Sequence, residues 1–230
     1  MPRRSRRLRR GVAVTVAAVA ALLAAARVAL TPFAESRVRD ALQHMHGMRG
    51  TFSRMDLSVV HLSWALHDLD VEKLSPEGHR TPYFRAARVQ VGLYWKELLR
   101  GHLVGAAELD RPKLSLVGGR EPRNEQKVGE APELGRKLQQ LTPFRLDRVE
   151  VRDGELLWID AHVQERPSLW LHGVAATLEN FASRAAMARG EPSVLAASGT
   201  LQRSGQVSIF ASADPLAKGL TFAGQARLRG

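Results

Sequence analysis

The chain contains no cysteine. That excludes a disulfide framework, a thiolate nucleophile, an iron–sulfur cluster and a thiolate zinc site. An oxidising compartment permits disulfides without requiring them, so the absence agrees with an exported protein without demanding one. Catalytic signatures are missing too. There is no Gly-rich phosphate loop, no His-Glu-x-x-His and no Gly-x-Ser-x-Gly elbow. The eight histidines are scattered. His44 and His46 lie two apart and diverge on a helix, and His61 and His67, six apart beside a strand, read as polar-face residues. Asp153 falls in a turn, while Glu155 and Asp160 are an odd number of positions apart and point to opposite faces of a regular strand. These absences argue against an enzyme, a metal site and a cofactor.

A net charge of +11 would ordinarily suggest nucleic acid. Seven of the positive charges are Arg3, Arg4, Arg6, Arg7, Arg9, Arg10 and Arg27, which leaves +4 from Thr31 onward, spread without a stripe. The basic cluster belongs to membrane topology instead. It precedes Gly11 to Leu30, a run of Ala, Val and Leu whose one charge is Arg27. Twenty helical residues reach about 30 Å, the thickness of a bilayer's hydrocarbon core. Arg27 lies close enough to the far end to snorkel toward the headgroups. Ala24-Ala25-Ala26 would also suit a signal-peptide cleavage site, but continuing through Leu30 completes a span, so an uncleaved anchor is the expectation. The arginines hold the N-terminus in the cytoplasm by the positive-inside rule, and the rest lies across the membrane. The expected organisation is a cytoplasmic tail at 1–10, an anchor at 11–31, a helix plus β unit at 32–117, a loop and short helix at 118–143, and a second β unit at 144–230.

Beyond the anchor, Val38, Leu42 and Met45 recur at i, i+4 and i+7, predicting an amphipathic helix over 34–48 that rests on the membrane or caps the first strands. From Thr51 the period becomes two. Leu62, Trp64 and Leu66 alternate with His61, Ser63 and Ala65 toward a turn at Ser75 to Gly78, and Val89, Val91 and Leu93 form a half-buried strand. Trp95 to Arg100 reads as a short helical turn. Arg111-Pro112 forces an edge, a bulge or a change of direction. Gly118 to Pro132 is a loop, and Leu134, Leu138 and Leu141 mark a short helix. Leu146, Val149 and Val151 lead to Asp153-Gly154, a hairpin signal. On the return strand Leu157 and Ile159 form one face and Leu156 and Trp158 the other. Leu169 and Leu171 follow, with Gly173 suggesting a bulge, then Val207 and Ile209, then Leu220 and Phe222. The spacing predicts an antiparallel meander. The last alternating strand runs to Arg229, so its open edge suggests a longer array or a partner strand.

The order of these elements resembles the AsmA-like family of bacterial envelope proteins, which includes TamB-related members. The likeness rests on the N-terminal anchor and short helix; on Val89 to Gly101 followed by Glu108 to Leu116; on Leu146 to Leu156 continuing to Phe181; and on the strand punctuation Ser198-Gly199-Thr200-Leu201 and Phe222-Ala223-Gly224. It covers most of the chain, although family members are usually several times longer. The resemblance implies an inner-membrane anchor and a mainly β (α+β) periplasmic part, an antiparallel sheet curved into a taco-like groove with short helices. It also implies lipid transport between membranes or a role in envelope integrity, with membrane lipids and other envelope proteins as partners. In that reading Val89, Val91, Leu93, Leu146, Val149, Val151, Leu157, Ile159, Leu169, Leu171, Val207, Ile209, Leu220 and Phe222 line the groove. The same pattern also fits the closed core of a sandwich.

Overall fold

A computed structural model describes residues 30–45, 47–75, 78–118, 143–160, 169–183, 185–188, 190–214 and 221–230. The predicted anchor falls almost wholly on 1–29, and the predicted helix around Leu138 on 119–142, outside the described residues. Among those described, no helix is long and apolar enough to cross a membrane.

Strands dominate, as the two-residue period requires. They are β1 (Met48–Thr51), β2 (Arg54–Ser58), β3 (Ser63–Leu74), β4 (Arg80–Leu93), β5 (Leu103–Asp110), β6 (Lys113–Gly118), β7 (Phe144–Asp160), β8 (Leu169–Ala182), β9 (Ser193–Leu201), β10 (Gly205–Asp214) and β11 (Thr221–Arg229). Three helices are described: α1 over 30–43, α2 (Trp95–Leu98) and α3 (Ala185–Ala188). All eleven strands belong to one sheet with the path β1-β3-β4-β5-β7-β8-β9-β10-β11, β2 pairing with β3, and β6 lying between β4 and β7. No second sheet packs on it among the described residues, so the sandwich expectation does not describe them.

The sheet is mixed, which corrects the antiparallel expectation. β7 pairs in parallel with β5 and β6, and every other described pair is antiparallel. A parallel neighbour needs a crossover of a dozen or more residues. The stretch read from the sequence as a loop and helix between two β units is that connection, and the two units share one sheet.

The Asp153-Gly154 hairpin is a second correction. β7 runs straight through it for 17 residues. Asp153 has φ +53°, a left-handed conformation that suits a tight turn and a bulge equally. Here it is a bulge, because matching irregularities stand beside it: Arg111 between β5 and β6 has φ +48°, Asp68 in β3 φ +50° and Gly173 in β8 φ +59°. Ladder bonds continue on both sides, with Arg111 N–H donating to Arg152 C=O at 2.8 Å and Glu155 N–H to Pro112 C=O at 2.7 Å. Each bulge adds a residue, bends its strand and shifts its alternation by one.

The best-buried cluster lies at one end of the path. Phe52, Met55, Leu66, Leu69 and Val71 form it, and Ala34, Val38 and Leu42 of α1, with Met45 just beyond its end, pack against it. Of the two positions the sequence allowed this helix, the structure has it capping the first strands.

Candidate functional site: an apolar sheet face

Residues directly opposite in a ladder share a face, so the register can be followed across the sheet. One row runs Leu66, Val89, Leu109, Val151, Ala176, Ala197, Ile209, Ala226. The neighbouring row runs Trp64, Val91, Ala107, Val149, Leu178, Leu195, Ala211, Gly224. Neither contains a polar side chain across eight strands, a width of about 34 Å at 4.8 Å per strand. Beyond the bulges a third row continues through Phe84, Leu114, Leu156, Leu171 and Leu201.

The opposite face is charged over β3 to β7, where ion pairs cross the strands, while elsewhere it bears apolar side chains, Phe210 on β10 and, beyond the bulge, Leu157, Ile159 and Trp170. Arg152 reaches Glu108 at 3.3 Å and Glu150 at 2.8 Å, and Arg148 reaches Glu150 at 2.7 Å. Arg85 meets Asp70 at 2.9 Å and Lys113 meets Glu155 at 3.3 Å. The hydrogen bond from Arg152 holds the Glu150 carboxyl below its usual range, with the charges of Arg148 and Arg152 adding to it and desolvation opposing. The Arg152 guanidinium is correspondingly raised. These carboxylates act as structural partners of arginines and of Lys113.

The apolar face is covered unevenly. Leu66, under α1, is 4% exposed, whereas Ile209 in the same row is 38% exposed and Leu228 on β11 is 67% exposed. Among the described residues no helix comparable to α1 lies over β9 to β11. A shallow depression of about 420 Å³ crosses β7 to β10; it is lined mainly by positions of the opposite register, Glu150, Arg152, Ala175, Thr177, Ala196, Ser198 and Ser208, with Val151, Ala176, Ala197 and Ile209 between them.

Of the expected lining, Val89, Val91, Leu93, Val149, Val151, Leu169, Leu171, Val207 and Ile209 fall on this face. A Cβ built on Gly199, in the same face, would meet Val174 Cγ2 at 3.1 Å and Leu171 Cδ1 at 3.4 Å, which places the β8 residues on both sides of the Gly173 bulge together. Leu146 lies at the end of the face, between Gly105 and Phe181, at a register shift. Leu157 and Ile159 are corrected: the extra residue at Asp153 puts Leu156 and Trp158 in phase with Val149 and Val151 and turns Leu157 and Ile159 to the other side. Phe222 pairs with Ala213, its side chain lying outside what is described, and Leu220 lies outside the described residues. Sequence reasoning missed Ala176, Leu178, Leu195 and Ala197 as central members. The signal was present as alternation on either side of Gly173, but small alanines carry little weight until their neighbours in the ladder are known.

Among the described residues, no group of three His, Asp or Glu could hold a metal ion. No protein-family profile matches this chain, and no curated protein sequence does.

Proposed function

We propose that this is a non-enzymatic protein of the AsmA-like type, anchored in a bacterial inner membrane with its bulk in the periplasm, whose apolar sheet face carries lipid acyl chains between membranes or supports envelope integrity. The observation behind the reading is the pair of unbroken apolar rows across eight strands, covered by α1 at one end and increasingly exposed toward the other. Acyl chains need continuous apolar surface without specific hydrogen bonds, and a non-directional surface of this kind supplies it. An exposed apolar face of this extent marks an interaction site. The apolar run Gly11 to Leu30 and its arginines support the anchor and its orientation.

The test is lipid retention. Full-length protein extracted in mild detergent is expected to carry phospholipid detectable by mass spectrometry. Val151→Asp combined with Ile209→Asp removes it while circular dichroism stays unchanged. Phe210→Asp, one residue away on the opposite face, keeps it. Equal lipid content in all three proteins sinks the reading.

A second reading is favoured by β11, which pairs only with β10 among the described residues. Its free edge would let another envelope protein add a strand, making the chain a scaffold. In that case lipid is absent, and crosslinks to a partner concentrate on 221–229.

A further inference from the structure

The direction of α1 identifies which end of the sheet lies where the chain enters. Leu42 packs on Gly50, where a Cβ would come within 2.9 Å of Leu42 Cδ2, and Gly50 pairs with Val71. Three residues earlier, the Arg39 guanidinium lies 4.5 Å from the centre of the Phe52 ring, and the next residue, Ser53, donates its N–H to His67 C=O at 3.0 Å. Going back along the helix therefore goes back along β3. The nine residues from Arg39 to Leu30 rise about 13 Å, and the four from His67 to Ser63 span about 13 Å. The first turn of α1, with exposed Leu30 and Phe33, is thus carried toward the turn before Ser63.

That end is unusually apolar. Val60, in the turn, accepts a 2.8 Å hydrogen bond at its C=O from Trp95 Nε1, which ties the turn to α2. No residue of α2 is buried, yet Tyr94, Trp95 and Leu99 all stand in solvent, Leu99 at 82% exposure. Basic groups surround them. Lys96 is exposed, Arg37 stacks 5.4 Å from the Phe33 ring, and Arg100 is exposed beside Glu97, which is itself paired with Arg100 and His102. Trp and Tyr beside Lys and Arg are the groups that settle at a membrane–water interface. The opposite end also shows Trp158 and Trp170, so the entry of α1 decides between the two.

We propose that the end of the sheet bearing Leu30, Phe33, Val60, Tyr94, Trp95 and Leu99 is seated on an anionic lipid bilayer, holding the strands end-on to its surface. The proposal rests on the anchored reading and adds to it a second membrane contact. It leaves the apolar face free at right angles to the bilayer, clear of the headgroups.

The absence of native cysteine makes site-specific spin labelling clean. Full-length chain is reconstituted into phosphatidylethanolamine–phosphatidylglycerol vesicles with single labels at Val60→Cys, Leu99→Cys, Ser204→Cys in the far β9–β10 turn, and Ala20→Cys in the apolar run. Labels at 60 and 99 are expected to lose accessibility to a water-soluble nickel chelate and gain it to oxygen relative to 204. Aqueous behaviour at 60 and 99 with a lipid-buried label at 20 overturns the end-on contact and leaves the anchor standing. Aqueous behaviour at 20 with buried labels at 60 and 99 overturns the anchor and sustains the contact, and aqueous behaviour at all three overturns both. Burial at 204 as well means the sheet lies flat, against the proposal.

Discussion

Leu66 and Ile209 occupy one cross-strand row, and truncating each to alanine measures whether the face they share is covered or open. Either change removes about three carbons, worth about 2.4 kcal/mol when fully buried at ~0.8 kcal/mol each. Leu66 is 4% exposed beneath α1, so Leu66→Ala loses that transfer energy and leaves a cavity, for about 3 to 4 kcal/mol in all. Ile209 is 38% exposed. Reducing the transfer energy in proportion gives about 1.5 kcal/mol, and an open surface leaves no cavity. Urea unfolding of the two variants and the parent, followed by tryptophan fluorescence at constant detergent, gives the two losses. A loss at Ile209 as large as that at Leu66 would refute the reasoning, because it requires a packed layer over β10.

Gly105→Ala is expected to disrupt β4 and β5, since a Cβ there would stand 2.0 Å from the Gly92 carbonyl oxygen and only backbone movement relieves it. Gly92→Ala, whose Cβ meets nothing closer than Ser63 Cβ at 3.7 Å, should be neutral or stabilise by up to about 1 kcal/mol; similar melting temperatures for the two variants would contradict the register. The Glu150 carboxyl is lowered by its hydrogen bond from Arg152, so its stabilising contribution is present above the unfolded carboxylate pKa and is lost as pH falls through the lowered folded value. Glu150→Gln should therefore flatten the fall in stability as pH drops below the ordinary glutamate value of 4.5, and an unchanged acid limb counts against that pairing. The lipid-retention and spin-label experiments test the apolar face and the seated end in the same direct way.

Much of the local structure was legible in the residues. Val89, Val91 and Leu93 gave a strand with one apolar face, Val38 and Leu42 gave the packed side of α1, although the helix ends at 43 and Met45 packs from beyond it, and Trp95 to Arg100 gave a helical turn. These are nearest-neighbour properties, set by side-chain period and turn chemistry. The phase of β7 was not legible. Asp153-Gly154 carries the same left-handed preference in a hairpin as in a bulge, and only the neighbouring irregularities at Arg111 and Gly173 select the bulge.

By itself the sequence determined that the chain is mainly β, that a basic cluster precedes an apolar run of membrane-spanning length, and that disulfide and thiolate chemistry are closed to it. Tertiary structure alone decided that β7 runs parallel to β5 and β6, that eleven strands make one sheet, and that Leu156 and Trp158 join the apolar face in place of Leu157 and Ile159. The physical reason is range. Alternation and turn propensity act within a few residues, whereas register is fixed by ladder partners far apart in the chain, and one inserted residue reverses every side chain beyond it.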